Sequence, residues 1–289
     1  MMQDARPRRS ALFLPASNAR AIAKARTLPA DVLIFDLEDA VAPDAKEAAR
    51  LNAVEAVRDG GYGDRELVIR VNGLDTRWGE ADLAAVAAAG ADAVLLPKVN
   101  EPEDIAACDA MLDGAGGRMR LWAMIETCAA LPRLDAIAAT VATTRLGAFV
   151  LGTNDLAKEM RAMLTPERTP FLPVLTFAVA AARAHGLAVL DGVCNDFTDI
   201  ERFRAECAQG RMFGFDGKTL IHPDQIGPCN AIFSPDAEEL AWADAVIEAF
   251  ARPENAGRGA IRVAGRMAEL LHLEQARRLR RMAERIAAG

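Results

Sequence analysis

Short apolar runs rich in Val, Leu, Ile and Phe alternate along the chain with longer Ala-rich stretches whose apolar positions recur every three or four residues. The strand-like runs are "SALFLP" (10–15), "VLIFDLE" (32–38), "LVIRVN" (67–72), "AVLLPKV" (93–99), "RLWAMIE" (120–126), "LGAFVLG" (146–152), "LAVLDGV" (187–193) and "RMFGFDG" (211–217). Between most of them lie segments such as "NARAIAKARTL", "EADLAAVAAAG" and "LPRLDAIAATVA", which carry helical periodicity. Regular alternation of strand and helix predicts a parallel sheet with crossover helices. Eight such units predict closure into a (β/α)8 TIM barrel.

The strand ends separate the barrel from an open doubly wound sheet. Asp36, Glu38 and Asp39 end the second run, Arg70 and Asn72 the third, Lys98 the fourth and Glu126 the fifth, while Asn154 and Asp155 follow the sixth. An open sheet has no need of polar groups converging from five neighbouring strands, whereas a barrel gathers them at one mouth. Residues two apart on a strand share a face. Leu33, Phe35 and Leu37 therefore face the helices, and Asp36 and Glu38 point to the axis. Val68, Arg70 and Asn72 share one face, which sets Arg70 beside the acids.

The barrel is expected over residues 9–232, preceded by a disordered leader (1–8) and followed by a helical lid or oligomerisation segment (233–289). Helices are expected at about 235–251 and 266–287, joined by "ARPENAGRGAIRVAG". The Gly-rich pieces "DGGYGD" (59–64) and "DGAGGR" (113–118) read as turns.

Composition narrows the function classes. With 52% hydrophobic and 26% charged residues, the 289-residue chain is ordinary for a globular protein. A net charge of -7 argues against binding to nucleic acid, and the arginines of "ARRLRRMAERIA" read as a solvated helix face. No run reaches the length of a membrane span. Five cysteines without a CxxC signal neither a zinc ribbon nor a disulfide framework, which fits a reducing cytoplasm. His185, His222 and His272 are too scattered for a zinc site. Walker, GxGxxG, GxSxG and HExxH patterns are all missing.

Glu126 and Asp155 stand at the ends of adjacent strands. Two hard oxygen ligands with room for water and a chelating substrate suit Mg2+ or Mn2+. The plainer reading makes Asp155 the cap of the following helix, and spacing leaves both open. Lys98 is either a Schiff-base lysine or a cation balancing the acids, the second being the simpler. Arg70 can pair with Glu38 and also fork onto a substrate carboxylate.

"RSALFLPAS", "LIFDLEDAV", "VIRVNG", "GADAVLLPKV", "MIET", "VLGTNDLA" and "FDGKTLIHPDQI", in that order, resemble the citrate lyase β-subunit group of the HpcH/HpaI aldolase family from residue 9 to about 280. The resemblance implies a Mg2+ site on Glu126 and Asp155, with Gly152 and Thr153 of the same segment beside the substrate. Arg70 would grip the carboxylate of a 2-oxo acid product, and Asp36, Glu38, Asp39, Asn72 and Lys98 would support it and the metal-bound waters. The implied reaction is reversible carbon–carbon cleavage of a 3-hydroxyacyl-CoA thioester such as citryl-, citramalyl- or malyl-CoA. Acyl carrier protein is a variant carrier, and a homotrimer or hexamer with a lid crossing between subunits is the implied assembly. Relatives carry a proton-handling Asp in a "DGKMID" segment; here "AGRMAE" (264–269) puts Glu269 at that place and Ala264 at the first Asp. The "PAS" at 15–17 departs from a common Pro-Gly. Rival expectations are a metal-dependent aldolase on free 2-oxo acids and a non-catalytic metabolite-binding or scaffolding protein.

Overall fold

The computed structural model describes residues 6–112 and 119–288. The expected turn at 113–118 and residues 1–5 of the expected leader lie outside the described residues. Eight parallel strands, β1 (Ser10–Pro15), β2 (Val32–Asp36), β3 (Glu66–Arg70), β4 (Ala93–Leu96), β5 (Arg120–Ile125), β6 (Leu146–Leu151), β7 (Ala188–Asp191) and β8 (Gly217–Leu220), close into a barrel in chain order. Pairing of β1 with β8, with Ser10 opposite Lys218, shuts the ring.

Period-two alternation divides each strand between two cores. Ala11, Val32, Ile34, Val68, Leu95, Trp122, Met124, Val150 and Leu190 fill the interior. Leu33, Phe35, Ile69, Val94, Phe149 and Val189 face outward into the cluster shared with the helices. The split runs as the alternation predicts, because neighbouring side chains on a strand leave opposite faces. Arg8 is ordered although it falls within the expected leader. Its Nε and Nη2 donate to Glu66 at 2.6 and 2.8 Å, and its guanidinium lies over Trp122, plugging the N-terminal end of the barrel.

The eighth strand is displaced from the expected place. "RMF" of 211–213 completes the helix Ile200–Phe213, which Gly214 stops in the left-handed conformation (φ 96). The strand then begins at Gly217, where the Arg8 and Arg9 carbonyls approach so closely that a Cβ has no room.

The described residues form two compact units, one within 8–233 and a second drawn from 234–288 with residues 6 and 7. In the second, the helices Ala237–Ala251 and Leu270–Ala288 pack through Ala243, Val246, Leu273 and Ala276. The end of the expected joining segment and the stretch expected to open the last helix instead form an antiparallel hairpin, β9 (Ala260–Val263) and β10 (Arg266–Glu269). Ala264 (φ 45) and Gly265 (φ 82) form its two-residue turn, both left-handed as such a tight hairpin requires. Ile261, Val263 and Ala268 supply its buried side. Glu269 ends β10, with its backbone N–H donating to His272 Nδ1 at 3.0 Å. No helix among the described residues is long and apolar enough to cross a membrane.

Candidate active site

Asp36 and Arg70 end adjacent strands and stand opposite each other in the register. Arg70 donates from Nε to Asp36 Oδ1 at 2.7 Å and from Nη2 to Oδ2 at 2.6 Å, a two-pronged pair that is almost wholly buried. Its Nη1 lies 2.9 Å from Glu38 Oε2, an ion contact without hydrogen-bond alignment, and donates to Met124 Sδ at 3.5 Å. Phe13 lies under the guanidinium, 4.8 Å from its ring centre. Burial opposes the charge of Arg70, but Asp36 and then Glu38 outweigh it and hold the group firmly protonated. Asp36 also accepts from the backbone N–H groups of Glu38 and Ala40, so the turn after β2 folds around its carboxylate.

Lys98 pairs its Nζ with Glu38 Oε1 and lies 3.9 Å from Asp39. Burial works against its charge, yet the hydrogen bond and charge of Glu38 raise its pKa. The pairing fits the balancing cation, since a Schiff-base lysine needs the opposite shift. Burial pushes the Glu38 carboxyl up despite Arg70 and Lys98. Asp39 is exposed. Asn72 donates to the Leu37 carbonyl at 3.0 Å and to Asp82 at 2.5 Å, tying β2 and β3 to the helix Gly79–Ala87.

Glu126 follows β5 and is 1% exposed. Oε1 accepts the backbone N–H of Lys98 at 2.8 Å, while Oε2 is buried without a hydrogen-bond partner. Burial first, then the neighbouring charge of Glu38, pushes its pKa up to about 7. Gly152 gives it room: a Cβ there would sit 2.5 Å from Glu126 Cβ. Asp155 lies in the first turn of the helix Thr153–Met160, close enough that its charge also raises the Glu126 pKa. Gly152, not Asp155, is the N-cap residue, and no side chain caps this helix, so the capping reading fails. Asp155 has no hydrogen-bond or ion-pair partner among the described residues. Thr153 is buried against Gly192, and Asn154 exchanges two amide hydrogen bonds with Asn195, at 3.0 and 2.7 Å.

Supporting groups that the sequence reading missed have no motif to announce them. Lys46 is buried, and its Nζ donates to the carbonyls of Leu37 and Glu38 at 2.9 and 2.8 Å, fixing the turn that carries Glu38. At the end of β7, Asp191 is fully buried and held by Arg168 Nη1 at 2.7 Å and Lys218 Nζ at 3.0 Å. Its carboxylate lies against Gly210, toward the helix Ile200–Phe213 and away from the interior, so it serves the scaffold.

With all five carboxyls ionised, Asp36, Glu38, Asp39, Glu126 and Asp155 would set five negative charges against the three positive charges of Arg70, Lys98 and Lys46, an excess of two that burial and Glu38 relieve by raising the Glu126 pKa. A buried carboxylate oxygen without a partner is costly unless a cation or donor meets it. Oε2 of Glu126, with Asp155 beside it, fits a hard divalent cation. Among the described residues no group of three or more His, Cys, Asp or Glu could hold a metal.

The model of one protein family, HpcH/HpaI aldolase/citrate lyase, matches residues 9–223. The chain is 47% identical over 288 residues to a (3S)-malyl-CoA thioesterase of Cereibacter sphaeroides, covering 100% of this chain and 99% of that protein. It is 34% identical to an L-malyl-CoA/beta-methylmalyl-CoA lyase of Cereibacter sphaeroides, covering 98% and 97%. Among solved structures it resembles CitE from Mycobacterium tuberculosis in complex with magnesium, acetoacetate and coenzyme A, at 30% identity and a TM-score of 0.77, covering 97% and 99%.

Proposed function

The chain belongs to the HpcH/HpaI aldolase/citrate lyase family, and on that premise we propose that it is a Mg2+-dependent lyase cleaving a 3-hydroxyacyl-CoA thioester, malyl-CoA first, into a 2-oxo acid and an acyl-CoA. The observation that carries this reading is the free, buried Oε2 of Glu126 beside Asp155 and a preset Arg70. Glu126 and Asp155 would hold the ion. When bound, Mg2+ supplies a Lewis acid that lowers the pKa of the substrate hydroxyl and stabilises negative charge on oxygen.

Arg70 binds the substrate carboxylate. Asp36 occupies two of its five N–H groups and Met124 Sδ takes a third, and those left, one on each of Nη1 and Nη2, are the ones a second carboxylate can use. Because Asp36, Glu38 and Phe13 already fix the guanidinium, little ordering entropy is lost on binding. In the reaction the hydroxyl proton passes to water, the C–O bond becomes the carbonyl of the 2-oxo acid, and the C2–C3 electron pair passes to the thioester as an enolate. That carbon then takes a proton, a step assigned to Glu269. The C-terminal unit serves as lid in an oligomer, which light scattering of the purified chain tests.

Hydrolysis of the same thioester is the second reading. It is favoured by the 47% identical relative named (3S)-malyl-CoA thioesterase and by Ala264 and Glu269, where the lid pattern changes. Malyl-CoA with Mg2+ separates the two. The lyase releases glyoxylate and acetyl-CoA without free thiol, whereas the hydrolase releases malate and one free thiol of CoA. Neither product, with Mg2+ bound, overturns both.

A further inference from the structure

Lys98 is one of four non-glycine residues with positive φ among those described, and the one of the four whose backbone meets the candidate site. At φ 52 it occupies the left-handed region that a side chain disfavours. That conformation turns its backbone N–H onto Glu126 Oε1 at 2.8 Å, while its Nζ reaches back to Glu38. Glu126 has two carboxylate oxygens, and the occupied one decides which is free. With Oε1 engaged, Oε2 is left on the side of Gly152.

Building on the metal reading above, we propose that Lys98 is a positioning residue for the cation: its left-handed backbone aims Glu126, and its side chain anchors that backbone while occupying Glu38. The pairing with Glu38 ties the side chain across the mouth and so helps to hold the unfavourable conformation in place. The same pairing keeps Glu38 from competing with Glu126 as a ligand. Lys98 itself touches neither metal nor substrate in this role. The carboxylate of Glu38, spanned by Lys98 on Oε1 and Arg70 on Oε2, links cation positioning to the arginine that grips the substrate.

The experiment compares glycine with alanine at this position, because glycine keeps the left-handed backbone without cost and alanine does not. Mg2+ affinity is measured by calorimetry for the wild-type chain and for Lys98→Gly, Lys98→Ala, Lys98→Arg and Glu126→Gln, with far-UV circular dichroism and melting of each metal-free variant. Lys98→Ala is expected to weaken Mg2+ binding at least about fivefold relative to Lys98→Gly, the factor that corresponds to the left-handed penalty. Lys98→Arg, which keeps the cation, is expected to bind within about twofold of wild type. The side chain is 46% exposed, so all Lys98 variants are expected to fold. Equal affinities for the glycine and alanine variants, or tighter binding by alanine, would overturn the role of Lys98 alone. A wild-type chain that takes up no Mg2+, or Glu126→Gln binding it as tightly, would remove the metal reading and this proposal with it.

Discussion

Glu126 offers the sharpest quantitative test, because its burial makes ion binding a proton-coupled event. Its pKa is pushed from 4.5 to about 7 by burial and by Glu38. At about 1.4 kcal/mol per tenfold, the charged form is disfavoured by about 3 kcal/mol in the metal-free protein. Between these two values the native state holds a proton that the unfolded state has lost. Stability of the metal-free chain therefore falls as pH rises from about 4.5 to about 7, by up to about 3 kcal/mol, and this contribution is flat above. A divalent cation on Oε2 requires the carboxylate and expels the proton. Mg2+ binding at pH 7 is accordingly expected to release about half a proton, close to one at pH 6 and close to none at pH 8.5. Calorimetric titration in two buffers of different ionisation enthalpy reads this number directly, and Glu126→Gln is expected to abolish it. A release that stays constant from pH 6 to pH 8.5, or persists in Glu126→Gln, would refute the reasoning.

Other residues carry separate consequences. Asp36→Asn strips the charge from a buried pair and leaves Arg70 with Glu38 alone, so urea unfolding is expected to show a loss of about 3 kcal/mol. Arg70→Lys keeps the charge but loses the planar fork; kcat/KM is expected to drop about a hundredfold with little change in overall circular dichroism. Gly152→Ala drives a methyl group into Glu126, which is expected to cost roughly 1–3 kcal/mol in melting and to weaken Mg2+ uptake in calorimetry. Ala264→Asn suits the left-handed turn of the hairpin better than alanine and is expected to protect the β9 and β10 amides from hydrogen exchange by about threefold.

Eight strand–helix units with polar residues gathered at the strand ends were enough to predict the barrel, because a strand buried on both faces is apolar along most of its length. Asp36, Arg70, Lys98 and Glu126 stood out for that reason: each interrupts an apolar run at the edge that becomes the mouth. The same alternation predicted that Arg70 and Asp36 share the interior side, and they meet there. The eighth strand was misplaced because "RMF" has equal claim to helix and strand, and only the continuity of Ile200–Phe213 and the approach of Arg8 and Arg9 to Gly217 settled it. The hairpin at 260–269 was concealed in a segment read as linker and helix, since its two strands bury one side each only when the long helices fold against them. Period alone could not tell that Asn72 turns to Asp82, or that Lys46 caps the carbonyls after β2. Those bonds join residues whose proximity arises only after helices pack on the barrel. The chemistry-bearing residue types were thus written in the strand ends of the sequence. The choice of which oxygen stays free and which amide faces the site came from the tertiary structure, because a hydrogen bond is decided by direction, and direction is set by everything packed around it.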